Sequence, residues 1–497
     1  MRMHLIGLDI GTTSSKAVVF DLQGKVISEH GVEYPILTPY PSWAEQDPDV
    51  ILLGAQEAVR MAVEKSKANH FLGLGISSAM HSLLLVDKDD KPLTRTIIWA
   101  DNRSHHQAEH LRMNNGKDIY LRTGTPIHPM SPLCKLLWFK EEQPSLFAQA
   151  QKFISIKEYL LFRWFGEYVT DYSVASATGM FNLEQLDYDQ DVLDLLGLQR
   201  DQLPDLVPTT HILHGIDLRY AQAMGIPNDL PFVIGGSDGC LANLGIGAIK
   251  KGDVAITIGT SGAIRTVVPT PLTDPSQRTF CYALADDHWV IGGPTNNGGI
   301  MMRWFRDQLA QGSSYEQLTS EAELAGPGSA GLLCLPFLSG ERAPIWNADA
   351  RGCFFGMSLH HQRAHFARAA MEGVIFSVYS VGIALKELAG EFHSVRASGG
   401  FVQSPLWCQI LADVFDTEVI IPESHQSSSW GAGVLVMHAL GKIDRLDAYQ
   451  DHFSIGRRYT PDFHNHQTYQ ELFSIYQGVY NALKDSFWKI ADYQRRL

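Results

Sequence analysis

Residues 5–16 read Leu-Ile-Gly-Leu-Asp-Ile-Gly-Thr-Thr-Ser-Ser-Lys, a short apolar run that ends in a carboxylate and a turn rich in glycine and hydroxyl side chains. Two further β-rich runs follow at residues 16–20 and 25–29, and a polar turn containing Gly24 separates them. Apolar, β-branched runs separated by such turns predict an antiparallel three-stranded meander. A polar hairpin is therefore expected between the first two strands.

The same pattern returns about half a chain later. Residues 254–258 form an apolar run, residues 259–262 read Gly-Thr-Ser-Gly, and a second apolar run covers residues 263–268. A repeat on this scale indicates two similarly folded halves that face each other. Glycines cluster near residues 245–253, so the predicted domains are residues 1–247 and 248–497.

Runs between the hairpins alternate between strand and helix patterns. Residues 71–77 and 232–236 resemble buried strands, whereas residues 49–65, 362–388 and 405–415 have the amphipathic spacing of helices. Mixed strands and helices predict α/β layers.

Composition excludes several classes of protein. The 497 residues are 45% hydrophobic and 19% charged, which excludes disordered and fibrous chains. A net charge of −14 argues against nonspecific binding to nucleic acid or to an anionic membrane surface. No apolar stretch approaches the roughly 18 residues of a membrane span, and the six cysteines include no C-x-x-C pair. The sequence therefore predicts a cytoplasmic protein with reduced thiols.

The two hairpin loops have the chemistry of phosphate sites. Loops of Gly, Thr and Ser present backbone N–H groups and hydroxyls at close approach, as phosphate oxygens require. One such loop is also an ordinary β-turn, but two related loops predict a polyphosphate held between two domains. The chain has neither the Walker sequence nor a strand-borne G-x-G-x-x-G, so the P-loop and Rossmann hypotheses lack their signatures.

Two more strand ends carry candidate groups. Residues 235–239 read Gly-Gly-Ser-Asp-Gly, and Asp238 either caps the following helix or acts as the base that accepts a proton from a substrate hydroxyl. Gly399 and Gly400 follow a β-like run, where they either let a flat ring approach the backbone or close a turn.

Longer motifs carry a family resemblance that covers nearly the whole chain. Residues 130–139 read Met-Ser-Pro-Leu-Cys-Lys-Leu-Leu-Trp-Phe, and residues 352–357 with 365–372 supply a second signature region. In these motifs the chain resembles the FGGY family of carbohydrate kinases, members of the actin and hexokinase ATPase superfamily. The resemblance implies an α/β fold with two ribonuclease H-like domains and a cleft between them.

The resemblance also implies site residues. It implies ATP and Mg²⁺ as cofactors, Asp238 as the catalytic base, and Asp9 with Asp238 at the metal. The residues implied at the nucleotide are Gly11, Thr12, Thr13, Lys16, Gly259, Thr260, Gly299, Arg303, Gly399, Gly400 and Ser404.

The substrate is expected against the first domain. Residues 78–82 and 99–103 match the family's sugar-binding segments and also fit its gluconate-phosphorylating members. A sugar acid needs hydroxyl partners and a cation for its carboxylate; Arg103 is the candidate cation, with Arg342 and Lys135 as reserves. Alternatively, His81 and His128 are hydrogen-bonded core residues and Arg103 forms a surface ion pair. The substrate candidates are Met80, His81, Trp99, Asp101, Asn102, Arg103, His128 and Asp238.

The expected reaction is phosphoryl transfer from ATP to the terminal hydroxyl of D-gluconate. A kinase for xylulose or another neutral sugar is the first alternative. A non-catalytic, actin-like or sugar-binding regulatory protein is a remote one, since it would lack the base or a phosphate loop. The expected partners are the sugar acid and ATP, and a homodimer is left open.

Overall fold

The computed structural model describes residues 3–285, 287–423, 426–447 and 455–496. The chain forms two compact units, and the first boundary, at 249/250, lies two residues from the predicted one. Two later segments differ from the prediction of consecutive halves, because they belong to the first unit. The first unit contains Met1–Ile249, Val268–Val290 and Gln426–Phe453, and the second contains Lys250–Val267, Ile291–His425 and Ser454–Leu497.

A six-stranded sheet forms the centre of the first unit. The predicted meander is present as its last three strands, and each neighbouring pair of these is antiparallel. The first strand of the chain is also parallel to Phe71–Ser78, which is parallel to Phe232–Ser237 on its other side. The strand order is Ile212–Leu213, Phe232–Ser237, Phe71–Ser78, His4–Ile10, Ser14–Asp21 and Val26–Glu33.

Helices cover both faces of this sheet. Helix Pro48–Ser66 begins where the Asp47 side chain accepts backbone N–H groups and Pro48 occupies the first turn. Its apolar stripe packs in one core with Ile6 and Leu8. Successive strand residues point to opposite faces, so Gly7 faces the other side.

Helix Ser427–Ala439 covers that other side at unusually close range. A Cβ on Gly7 would lie 2.1 Å from the Ser429 carbonyl oxygen, and one on Gly75 would lie 2.3 Å from the Ala432 carbonyl oxygen. Only glycine permits this approach. This packing explains why residues 426–453 belong to the first unit although they follow most of the second in sequence.

The second unit repeats the hairpin in its own sheet. Asp253–Ile258 is antiparallel to Gly262–Val268 and parallel to Ser394–Ser398, as the first strand of the chain is to its two neighbours. The predicted structural repeat is thus confirmed. Six neighbouring strands of this sheet are, in order, His288–Thr295, Gly262–Val268, Asp253–Ile258, Ser394–Ser398, Val419–Pro422 and Ile455–Tyr459.

Helix Arg363–Ala389 forms much of the second core. By length and composition it could cross a membrane, but 83% of its most apolar window is buried inside the protein, as in the core helix of a globular domain. The other helices are His105–Met113, Gly116–Thr123, Pro132–Glu142, Pro144–Gln149, Ile156–Phe165, Tyr172–Ala175, Gln190–Leu196, Leu218–Met224, Asp238–Gly245, Gly299–Leu309, Tyr315–Leu324, Pro405–Phe415 and Phe463–Arg495. The remaining strands are Glu45–Gln46, Leu84–Val86, Thr96–Ile97, Lys152–Ile154, Val169–Asp171, Phe181–Asn182, Asp187–Tyr188, Asp205–Val207, Phe280–Ala285, Leu333–Leu335 and Cys353–Phe355.

Candidate active site

The carboxyl ends of three neighbouring strands meet at one edge of the first sheet. Asp9 pairs with Ser77 in one parallel ladder, and Ser237, which precedes Asp238, pairs with Ser78 in the other. One strand lies between the two strands that lead to these aspartates, so those two strands are about 10 Å apart. In open α/β sheets ligands bind outside this edge.

The Asp9 carboxylate is held by two serines. It accepts hydrogen bonds from Ser77 Oγ at 2.7 Å and from Ser428 Oγ at 2.8 Å. Burial raises the pKa of Asp9, and the two hydroxyl donors oppose that rise. Lys16, opposite Asp9 in the ladder, forms an ion pair with Glu29 at 3.1 Å. Ser428 lies on a distant segment, so no local pattern in the sequence identifies it.

Asp238 begins helix Asp238–Gly245 and is half-buried. The cap position belongs to Ser237, and Asp238 accepts the backbone N–H of Gly239 at 2.7 Å. A first-turn carboxylate is stabilised by the helix dipole. The position of Asp238 therefore suits a helix-terminal carboxylate as well as a base at this edge of the sheet.

The first hairpin turn, which contains Gly11, Thr12 and Thr13, is tied to a predicted sugar segment. Trp99 Nε1 donates to Thr12 Oγ1 at 2.9 Å, and Gln46 Nε2 donates to the Thr12 carbonyl oxygen at 2.6 Å. Thr12, which the sequence assigns to the nucleotide, is therefore in direct contact with Trp99, which the sequence assigns to the substrate. Gln46 is a further member that sequence analysis missed.

The two candidate histidines have opposite tautomers. His81 Nδ1 lies 2.7 Å from the Ala177 carbonyl oxygen, and because a carbonyl only accepts, Nδ1 carries the proton. His128 Nδ1 instead accepts the Met130 backbone N–H at 3.1 Å. When neutral, His81 Nε2 is an acceptor and His128 Nε2 is a donor. Met80, beside His81, lines a small cavity with Thr12 and Trp99.

Asp101 and Arg103 have a different role from the one predicted. Asp101 is fully buried, and the Arg103 side chain is 3% exposed. Arg103 donates to both Asp101 oxygens at 2.9 and 2.8 Å and to Glu45 at 2.7 Å, with its guanidinium 3.6 Å from the centre of the Trp43 ring. These contacts fix the backbone of the segment, and only Asn102 between them is exposed. Arg103 is therefore a positioning residue rather than the partner of a substrate carboxylate.

We expect Arg103→Met to destabilise the protein by about 3–5 kcal/mol, because it leaves two carboxylates in the interior without their cation. The free energy of unfolding in urea measures this loss. Arg95→Met is the matched control: Arg95 reaches Glu45 at 3.8 Å with a half-exposed side chain, so its loss should cost about 0–1 kcal/mol. Equal stabilities of the two variants would contradict the assigned role.

Lys135, a reserve candidate for the carboxylate, is fully buried. Its Nζ donates to the His81 carbonyl oxygen at 2.6 Å and to that of Ile98 at 2.9 Å, so it ties the two sugar segments together. Burial lowers the pKa of Lys135 to about 7, although the Asp101 charge opposes that shift. The other reserve, Arg342, is buried in the second unit, where Nη2 donates to the Thr295 carbonyl oxygen.

The lowered pKa of Lys135 makes the free energy of unfolding depend on pH. Between about pH 7 and pH 10.5 the unfolded chain keeps the Lys135 proton and the native protein releases it, so the free energy of unfolding rises with pH in this window. The Lys135→Met variant should lose that part of the rise. Urea denaturation of both proteins at pH 7, 8 and 9 gives the difference, and parallel profiles would contradict the lowered pKa.

A cavity of about 660 Å³ opens beside the hairpin loop of the second unit. This volume lies in the range of small-molecule sites. Gly399 is not among its lining residues; its φ is +98°, and a Cβ there would lie 2.5 Å from the Ile258 carbonyl oxygen. Six of the seven nucleotide residues predicted in this unit line the cavity: Gly259, Thr260, Gly299, Arg303, Gly400 and Ser404.

Helix Gly299–Leu309 starts directly on the hairpin loop. The backbone N–H of Gly299 donates to the Gly259 carbonyl oxygen at 2.6 Å, and that of Gly298 donates to the Thr260 carbonyl oxygen at 3.0 Å. The amino end of a helix favours anions. The half-buried Gly259 and the exposed Thr260 of this loop, together with the dipole of the helix, suit a phosphate group.

Helix Tyr315–Leu324 forms one wall of the cavity, and this wall was not predicted from the sequence. Ser314 and Gln317 form its capping box, a signal that predicts the helix but not its neighbours. The missed lining residues are Met302, Tyr315, Glu316, Thr319, Ser320, Met371, Phe401, Gln403, Pro405 and Trp407.

Comparison with known proteins covers both halves of the chain. Sequence profiles of the N-terminal and C-terminal domains of the FGGY family of carbohydrate kinases match residues 4–245 and 254–440. A gluconokinase of Bacillus subtilis strain 168 is 46% identical, and the alignment covers 100% of this chain and 99% of that protein.

Two solved structures from Lactobacillus acidophilus are similarly close in fold. A gluconate kinase has a TM-score of 0.95 and 37% identity, covering 99% of this chain and 100% of its own. A ligand-bound xylulose kinase has a TM-score of 0.95 and 38% identity, covering 98% of this chain and 100% of its own. The two folds are thus equally similar to this one.

Proposed function

Because the chain belongs to the FGGY family of carbohydrate kinases, we propose that it transfers the γ-phosphoryl group of ATP to the terminal primary hydroxyl of D-gluconate, giving 6-phosphogluconate and ADP. The 46% full-length identity to a gluconokinase favours gluconate as the acceptor. The two solved structures, at 37% and 38% identity, do not distinguish the two acceptors. The site residues already described supply the parts that this reaction needs.

Asp238 is the base in this proposal. Its carboxylate takes the proton of the substrate hydroxyl as that oxygen bonds to the γ-phosphorus, while the bond from the γ-phosphorus to the bridging oxygen breaks and ADP leaves. The reaction otherwise needs positioning and neutralised charge. The glycine loops at residues 11–13 and 259–261 and the amino end of helix Gly299–Leu309 are suited to the phosphates.

Asp9 fits the requirement for Mg²⁺. Mg²⁺ prefers oxygen ligands and is bound by one or two carboxylates together with phosphate oxygens and water. Asp9 supplies a carboxylate that Ser77 and Ser428 orient, and Asp238 supplies a second at the same sheet edge. When bound, Mg²⁺ neutralises charge on the β- and γ-phosphates.

We assign the acceptor to the loops of the first unit. His81 and His128 lie in these loops, and a neutral imidazole has one donor and one acceptor nitrogen, the groups that pair with the hydroxyls of a polyol chain. Trp99 and Met80 lie beside Thr12 of the first hairpin loop. A cytoplasmic location remains a prediction from the sequence, and a homodimer remains open.

A substrate panel tests the proposed acceptor. Purified protein with ATP and Mg²⁺ is assayed on D-gluconate, D-xylulose and glycerol, with ADP release as the readout. We expect kcat/KM for gluconate to exceed the other two by at least about tenfold. A higher value for xylulose would replace gluconate as the acceptor but keep the kinase assignment, and failure to turn over any of the three would overturn both.

A further inference from the structure

The second unit contains a buried carboxylate that no step of phosphoryl transfer uses. Glu341 is 2% exposed, yet its two oxygens accept four hydrogen bonds. Oε1 accepts the backbone N–H groups of Asn296 and Arg342, and Oε2 accepts Asn297 Nδ2 and Ser377 Oγ, both at 3.2 Å. An ionised carboxylate satisfies four donors at once, and such charge-assisted hydrogen bonds are stronger than neutral ones.

Two of the four donors belong to the segment that leads into the nucleotide cavity. Asn297 is fully buried, and its Nδ2 also donates to the Gly340 carbonyl oxygen at 2.7 Å. The next residue, Gly298, is in close contact with the hairpin loop, since a Cβ there would lie 2.6 Å from the Ser261 carbonyl oxygen. A displacement of Asn297 would therefore also displace the hairpin loop at residues 259–262.

Further hydrogen bonds join this segment to the wall of the nucleotide cavity. Gly298 and Gly299 donate their backbone N–H groups to the carbonyl oxygens of Thr260 and Gly259. Glu341 thus holds residues 296–297, these lead into residues 298–299, and those hold the loop at residues 259–260. Each step is a hydrogen bond or a peptide link within one unit.

We propose that Glu341 is a positioning residue for the nucleotide: its carboxylate fixes residues 296–299 against the hairpin loop and so sets the loop and the amino end of helix Gly299–Leu309 in the geometry that binds phosphate. The inference rests on the proposed use of ATP, but it does not depend on the identity of the acceptor. Glu341 acts through the segment and has no part in proton transfer.

Glu372 offers a matched control in the same unit. It is also 2% exposed and also accepts four hydrogen bonds, from the Gly328 N–H, Ser329 Oγ, Arg368 Nε and Tyr469 OH. Among the hydrogen bonds of the residues that the structure describes, none joins these four donors to the hairpin loop or to residues 296–299. Loss of its charge should therefore affect stability and leave nucleotide affinity unchanged.

The test compares Glu341→Gln with Glu372→Gln by calorimetric titration with ADP, a probe that needs no acceptor. Glutamine keeps the volume but turns one oxygen into a donor that faces Asn297 Nδ2 or Ser377 Oγ. We expect Glu341→Gln to weaken ADP binding about tenfold and to raise the KM for ATP by a similar factor, with the KM for gluconate changed less than about twofold. Both variants should show a lowered Tm, but Glu372→Gln should bind ADP like the wild type.

Unchanged ADP affinity in a folded Glu341→Gln protein would overturn the proposal, as would an equal loss in Glu372→Gln. If Glu341→Gln does not fold, Ser377→Ala replaces it, because this variant keeps the charge and removes one of the four donors. A two- to fivefold weaker ADP affinity in Ser377→Ala would support the proposal, and wild-type affinity would overturn it. Tight ADP binding without turnover on any sugar would count against the proposed function but not against the role of Glu341.

Discussion

The Asp238→Asn enzyme should turn over gluconate about 10²- to 10⁴-fold more slowly than the wild type, the range that general bases contribute. The substitution keeps the shape of the side chain and its acceptor for the Gly239 N–H, but the amide cannot take up a proton at neutral pH. The loss should therefore fall on kcat, with ATP affinity changed less than about threefold. Steady-state kinetics with ATP and gluconate varied in turn measure both quantities.

Asp49→Asn is the control for Asp238→Asn. Asp49 is also a first-turn aspartate on a helix of the first unit, and its side chain is 60% exposed. Asp49→Asn weakens a dipole interaction and an ion pair with Arg163 but removes no base. Its kcat should stay at the wild-type value. Near-normal turnover by a correctly folded Asp238→Asn protein would reject Asp238 as the base.

Gly259→Val should weaken ATP binding by about 10²-fold or more. Apart from Gly259 and its two neighbours in the chain, no atom of the described residues lies within 4 Å of a Cβ built on Gly259, so the folded protein has room for the side chain. The branched group occupies instead the space that a phosphate needs beside the loop, where backbone and ligand should almost touch. Calorimetric titration with ADP measures the affinity, and the Tm shows that the fold is intact.

Gly478→Val is the control for a general effect of a glycine-to-valine substitution on ADP affinity. Gly478, on the helix Phe463–Arg495, also has no atom within 4 Å of a built Cβ, and its substitution should leave ADP affinity unchanged. Gly11→Val tests the other loop, with the added cost that its Cβ lies 3.0 Å from the Ser14 carbonyl oxygen. If only one of Gly259→Val and Gly11→Val loses affinity, the hypothesis of two phosphate loops fails.

Much of the fold could be predicted from local patterns in the sequence. The meander, the second hairpin and helix Pro405–Phe415 were predictable because alternation, turn residues and helical spacing act over a few residues. The division into units was not, because residues 268–290 and 426–453 join the first unit through contacts made far along the chain.

The same distinction applies to the candidate site. Glycine loops and strand-end aspartates are visible in short motifs, and the structure places them at sheet edges. Arg103 illustrates what was not visible: Glu45, one of its two carboxylate partners, lies 58 residues upstream, and the Trp43 ring covers its guanidinium. Burial, which decides whether an arginine meets a ligand, depends on such distant neighbours.

The hydrogen bond from Ser428 to Asp9 joins residues 419 positions apart. A ribosome adds about 5–20 residues each second, so the strand that bears Asp9 leaves the ribosome tens of seconds before its serine partner. Until then the face of that strand around Gly7 lacks the helix that covers it. A chain interrupted before residue 426 would contain Asp9, Asp238 and both hairpin loops, yet its Asp9 carboxylate would lack the Ser428 hydroxyl. We therefore expect chains that end before residue 426 to be inactive, and activity to appear only late in synthesis.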